Sequence, residues 1–215
     1  MRVRHPPGRA GRPWLARRLE VARRGAELLD EKCRALSHER RRLEPLVAQA
    51  RRSWVHAARA AERSLARAAV LGGQPQVELA RATSGSAQLD VRWHTVLGVR
   101  CPRDVEVVPP DPRSVAPGGS AALHTAADTH REAFEAAAAL AVLEAALRRI
   151  EDELRATTLR RNAIEHRWIP AHEAAAAQLA LTLEELERED ATRVRWAGQG
   201  QRQAAPQVPR RSPTG

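Results

Sequence analysis

Residues 140–154 read LAVLEAALRRIEDEL, and their spacing decides the fold. Leu140, Leu143, Leu147, Ile150 and Leu154 step by three and four residues. That step is a heptad seam, the pattern of helices wound on one another. The seam passes Ile164, Trp168, Ala171 and Ala175 and resumes at Leu179, Leu183 and Leu186. Between Ala127 and Trp196 no glycine interrupts it, and alanine, the best helix former, is abundant. Pro170 is the one breaker, and the pattern beyond it predicts a bend, not an end. A helix of about 70 residues is about 105 Å long. A compact domain of this chain length has a radius of gyration of only about 17 Å. The helix therefore needs a partner of similar length.

The N-terminal part supplies one. Leu15, Leu19, Ala22, Ala26, Leu29, Cys33 and Leu36 step by four and three, followed by Leu43, Val47, Ala50, Trp54, Ala57 and Ala61. Gly72, Gly73 and Pro75 stop this helix. Val77 and Leu79, then Leu89, Val91 and Trp93, alternate with polar neighbours, which reads as short strands. The fold class expected is all-α dominated, a long antiparallel two-helix coiled coil with a small β-hairpin and loop element between the helices. The expected divisions are a disordered basic tail over 1–13, a first coiled-coil helix over 14–71, and hairpin and loops over 72–126. A second coiled-coil helix over 127–197 and a disordered basic tail over 198–215 complete the chain.

Composition supports a thin core. Of 215 residues only 3% are aromatic and 29% are charged, with no tyrosine and one phenylalanine. The formal net charge of +10 gathers at the ends. Arg2, Arg4, Arg9, Arg12, Arg17, Arg18, Arg23 and Arg24 face one acid, Glu20, and Arg193, Arg195, Arg202, Arg210 and Arg211 close the chain. Such a balance suits nucleic acid, anionic lipid or acidic protein partners. Scarce stacking aromatics argue against nucleic acid. Cys33 and Cys101 lack the spacing of a disulfide or zinc framework. No apolar run is long enough for a membrane span, and no apolar segment follows the basic N-terminus as a signal peptide requires.

Candidate chemistry is sparse. Gly72-Gly73 and Gly118-Gly119 lack the Lys-Ser/Thr of a phosphate-binding loop. His166, His172 and Glu173 hold metal-ligating atoms, but the two histidines are six apart and face different sides of a helix, so they read as solvated. His124, Asp128 and His130 read as helix caps. No catalytic residue, metal ligand or cofactor site is expected. Arg161 and Glu165 are four apart and share a helix face with Asn162, either as a surface ion pair or as a partner contact.

These residues also resemble a known family. Leu15-Ala16-Arg17-Arg18-Leu19 with Ala22-Arg23-Arg24-Gly25-Ala26-Glu27-Leu28-Leu29-Asp30-Glu31-Lys32 resembles the opening helix of the D subunit of V-type (V/A-type) ATPases and ATP synthases. Arg160-Arg161-Asn162-Ala163-Ile164-Glu165 before Ile169-Pro170, and Leu183-Glu184-Glu185-Leu186-Glu187-Arg188-Glu189, are similar to its second helix. Gly98-Val99-Arg100-Cys101-Pro102 resembles its hairpin. The family carries aromatics after its Glu-Arg-Glu, where this chain has Ala191 and Thr192.

The resemblance implies a non-catalytic axle of the central rotor stalk. It implies partners too: the A and B subunits of the catalytic hexamer, the F subunit of the stalk, and the C subunit (d in eukaryotes) towards the membrane rotor. It places the chain at the cytoplasmic face of the plasma membrane, peripheral, without membrane insertion or nucleic acid. Rotation would couple ATP hydrolysis or synthesis to proton or sodium translocation. Arg17, Arg18, Arg24, Arg160, Arg161, Asn162, Glu165, Gly98 and Val99 are the partner contacts it suggests. A basic coiled-coil adaptor that grips nucleic-acid phosphates is the alternative reading.

Overall fold

The structure is a computed structural model that describes residues 3–110 and 119–203, with side chains to residue 197. The expected loop at Pro117-Gly118 and the end of the C-terminal tail, residues 204–215, lie outside the described residues. A short 3-10 turn, Gly8–Ala10, leads into helix α1, Gly11–Gly72. Helix α2 spans Gln74–Thr83, and strands β1 and β2 span Gln88–Val96 and Val99–Val108. Helix α3, Ala121–Ala163, passes through a π-helical segment, Ile164–Trp168, into helix α4, Ile169–Gln203.

Two corrections to the sequence reading concern the connection. Val77 and Leu79 lie in α2, not in a strand. Alternation over so few residues does not separate the two periods, and Gln, Glu and Ala favour helix there. Pro75 sits in the first turn, where its missing N–H costs nothing, after Gly73 at φ 81° has broken the chain from α1. His124, Asp128 and His130 are not caps. Ser120 is the cap: its hydroxyl accepts from the Leu123 N–H at 3.3 Å, and the three residues lie inside α3.

The chain forms two compact units, residues 1–28 with 161–215, and residues 29–160. In the second unit α1 and α3 run antiparallel. Lys32 meets Glu153, Arg51 meets Glu144 and Ser64 meets Thr129, so numbers rise on one helix as they fall on the other. The seam is buried between them: Cys33, Leu36, Leu43, Val47, Ala61 and Ala68 against Ala138, Leu140, Ala146 and Ile150. Trp54 stands half out of it. The neighbouring seam positions are alanines, too thin a lining to enclose an indole.

The hairpin turns at Leu97 (φ 51°) and Gly98 (φ 82°), the paired left-handed residues of a tight two-residue connection. Its register pairs Val96 with Val99 and His94 with Cys101, and a bulge next to Trp93 lets Pro102, which has no N–H, sit in the strand. Val96, Val99 and Cys101 pack on Leu36, Leu43, Ala146 and Ile150. The turn end of the hairpin is thus core.

In the first unit α1 and α4 are again antiparallel, with Arg23 on Glu173 at 2.6 Å and Arg9 on Glu187 at 3.1 Å. Leu15, Leu19, Ala26 and Leu179 are buried. Gly11 is close-packed, since a Cβ there would meet the Pro6 carbonyl and Leu179. Pro170 is accommodated as Pro-containing helices require. The Ile169 N–H reaches back five residues to the Ile164 carbonyl, and the chain stays right-handed through the π segment.

Candidate interaction surfaces

An aromatic ladder spans the first unit. The Arg18 guanidinium lies 4.8 Å from the Trp14 ring centroid and 5.6 Å from that of Trp168. Trp168 stacks on His172 at 3.4 Å and 19°. His172 is only 3% exposed, and its Nδ1 donates to the Trp168 carbonyl at 2.9 Å. It is therefore not the solvated histidine expected from its spacing. His166 is exposed, and Glu173 is taken by Arg23. The ladder had a signal in the sequence, since Trp14 and Arg18, and Trp168 and His172, are each four apart.

The expected contact residues fall into two groups. Arg17, Arg24, Arg160 and Gly98 are exposed. The others are engaged within the chain. Arg18 is held in the ladder, and Val99 packs in the core. Arg161 is half-buried beside Glu165 at 3.6 Å and donates to Asn162 at 3.3 Å. The three residues of that predicted cluster do come together.

On the hairpin, the face opposite the core carries Leu89 and Trp93, both about half exposed. Arg100 and Arg149 each place a guanidinium about 5 Å from the Trp93 ring, and Arg149 donates to the Arg100 carbonyl at 3.1 Å. This clamp ties the hairpin to α3.

A cleft of about 280 Å³ opens between the hairpin and the helices, over Leu43, Ala146 and Ile150. Glu39, Arg42, His94, Cys101 and Arg103 line its rim. Arg42 binds Glu39 through two bonds, at 2.9 and 2.6 Å, and these hold the Glu39 carboxyl below its ordinary range. Burial pushes the Cys101 thiol up, against the opposing pull of the Arg149 charge. Among the described residues no three His, Cys, Asp or Glu gather as a metal site, and no helix is long and apolar enough to cross a membrane.

Paired helices with an apolar seam, a small hairpin and charged, open outer faces define an interaction or mechanical subunit. Comparison with known proteins gives the family. The model of the family described as the D subunit of ATP synthase matches residues 14–199. The V-type ATP synthase D subunit of Anaeromyxobacter dehalogenans (strain 2CP-C) is 33% identical over 187 residues, covering 83% of this chain and 88% of that protein. The A-type ATP synthase D subunit of Methanopyrus kandleri is 33% identical over 189 residues, with 83% and 78% covered. That of Pyrococcus horikoshii is 31% identical over 188 residues, with 84% and 87% covered. The chain belongs to the ATP synthase D-subunit family.

Proposed function

We propose that this chain is the central-stalk axle of a V/A-type ATPase or ATP synthase. It couples ATP turnover in a hexamer of A and B subunits to proton or sodium translocation by the membrane rotor. The family match over residues 14–199 carries this reading. The chain works by geometry and holds no catalytic group of its own. The F subunit binds it in the stalk, the C subunit links it to the rotor, and the complex lies at the cytoplasmic face of the membrane.

The physics of torque transfer supports the assignment. A twisting load tends to slide one helix of an antiparallel pair along the other. Sliding by one turn would lift Leu36 and Ile150, both fully buried, out of their contacts. Interlocked apolar packing resists such a step far more strongly than exposed ion pairs, which are each worth about 0 to 1 kcal/mol. Arg23–Glu173 and Arg51–Glu144 therefore set register, and the seam bears the load.

The test is reconstitution. Hexamer, F subunit and membrane sector assembled with this chain should pump ions on ATP addition. Assembly without it should leave hydrolysis uncoupled from pumping. Equal pumping with and without the chain would refute the axle reading. Phosphate gripping by a basic adaptor would appear instead as salt-dependent binding of duplex or single-stranded nucleic acid.

A further inference from the structure

The cleft beside the hairpin has two chemically distinct parts. Its floor is apolar, with Leu43 and Leu46 from α1, Val96 from β1, and Leu143 and Ile150 from α3. Its rim carries Glu39, Arg42, His94 and Arg103. The bulge between Arg92 and Trp93 bends the strands here, opposite Pro102, which lines the wall. An apolar cavity of about 150 Å³ holds benzene, and pockets for drug-sized molecules begin at about 300 Å³. At about 280 Å³ the cleft lies between these limits. It is too small for a peptide helix or a lipid, and it suits one ring with a short chain.

Charge on the rim is lopsided. Arg42 meets Glu39 through two bonds, so the charge of that acid is already matched. Arg103 is exposed and makes no ion pair among the described residues. The two acids nearest it on β2 are engaged: Asp104 accepts from the Val105 N–H at 2.9 Å, and Glu106 accepts from Arg92 at 2.8 Å. His94 adds a second unmet group. Its Nδ1 is buried and has no hydrogen-bond partner among the described residues. Buried polar atoms of native proteins nearly always have one. A guanidinium and an imidazole nitrogen left over on the rim of an apolar cleft call for a ligand with an anionic oxygen at one end and an apolar body at the other.

We propose that the cleft binds a small free carboxylate with an apolar body about the size of one ring. The carboxylate sits between Arg103 and His94, and the apolar body lies over Leu43, Leu46 and Leu143. These contacts come from both strands and both long helices. Occupancy therefore fastens the hairpin to the helix pair, and it does so without any protein partner.

Phenylpropionate is the probe. It is titrated calorimetrically into the full chain beside phenylpropanol, which lacks the charge, and propionate, which lacks the ring. Phenylpropionate should saturate a single site, and each control should bind at least about tenfold more weakly. Binding should slow hydrogen exchange of the hairpin amides and shift the ring nitrogen resonances of His94. Arg103→Gln should weaken phenylpropionate about tenfold and leave phenylpropanol unchanged. Leu46→Trp should fill the cleft and abolish binding. Leu46 is 38% exposed and Arg103 is exposed too, so both variants should keep the melting midpoint of the unsubstituted chain. Equal affinity for phenylpropionate and phenylpropanol would overturn the proposal by reducing it to apolar partition. An affinity unmoved by Arg103→Gln or by Leu46→Trp would overturn it by placing the ligand elsewhere. Absence of saturable binding would overturn it outright.

Discussion

Within residues 29–160 two stretches of the same helix pair are built differently. Around Leu36, Leu43 and Ile150 the seam is leucine and isoleucine, and the hairpin residues Val96, Val99 and Cys101 close over it. Around Ala61, Ala68, Ala126 and Ala138 the buried residues are alanines, and none of them belongs to the cluster that the hairpin closes over. A third layer can shelter large side chains that two helices would leave partly in water. Trp54 is outside that cluster and stays about a third exposed, and alanine fills the seam beyond it. The leucine stretch gains stability from buried area, and the alanine stretch from helix propensity and fit.

The sharpest way to break the comparison is Ile150→Ala. Ile150 is fully buried beneath three elements, so the change leaves a cavity bounded by helix and hairpin. It should cost about 2 to 5 kcal/mol. Urea unfolding of the full chain measures it, and a loss below about 1 kcal/mol would mean that the hairpin does not seal this layer.

The opposite change probes the alanine stretch. Ala61→Leu places three extra carbons where the seam is thin and Ala61 is 3% exposed. Overpacking should cost about 1 to 3 kcal/mol, read by the same unfolding. If leucine there stabilises the chain, the stretch has slack and the distinction between the two regions fails.

What the sequence could reveal follows the same division. Leu15, Leu19, Cys33, Leu36 and Ile150 were legible as seam because heptad spacing records burial between two helices directly. The first strand was legible from the alternation of Leu89, Val91 and Trp93, and the hairpin's place from the family resemblance of Gly98–Pro102. That its turn end belongs to the core was not, because docking onto α1 and α3 is a long-range contact with no local period. His172 was misread for a related reason. Its burial depends on Trp168 one turn away in a π segment, where helical-wheel geometry shifts. The cluster of Arg161, Asn162 and Glu165 was legible, being local to one helix.

The smallest expected effect concerns the charges beside the leucine stretch. Lys32, the one lysine of the chain, reaches across from α1 and donates to Glu153 on α3 at 2.6 Å. This bond, with help from Thr157 and the field of Arg160, outweighs burial and holds the Glu153 carboxyl below its ordinary range. A carboxylate whose folded pKa is depressed contributes stability that is fully present above its unfolded pKa. That contribution is lost as pH falls through the depressed folded value. Between pH 7 and pH 5 the pair should therefore contribute a constant amount, and its share should disappear only in more acid solution. Both side chains are partly exposed, which limits that share to about 0.5 to 1 kcal/mol. Glu153→Gln should lower stability by this amount at pH 7 and by progressively less below pH 4, so that the two unfolding curves converge. The Glu39–Arg42 pair offers the control. It joins residues three apart on one helix, so Glu39→Gln removes a local bond and leaves the contact between α1 and α3 untouched. If Glu153→Gln and Glu39→Gln changed stability equally and with the same pH profile, the bond across the helices would add nothing beyond what a helix makes by itself.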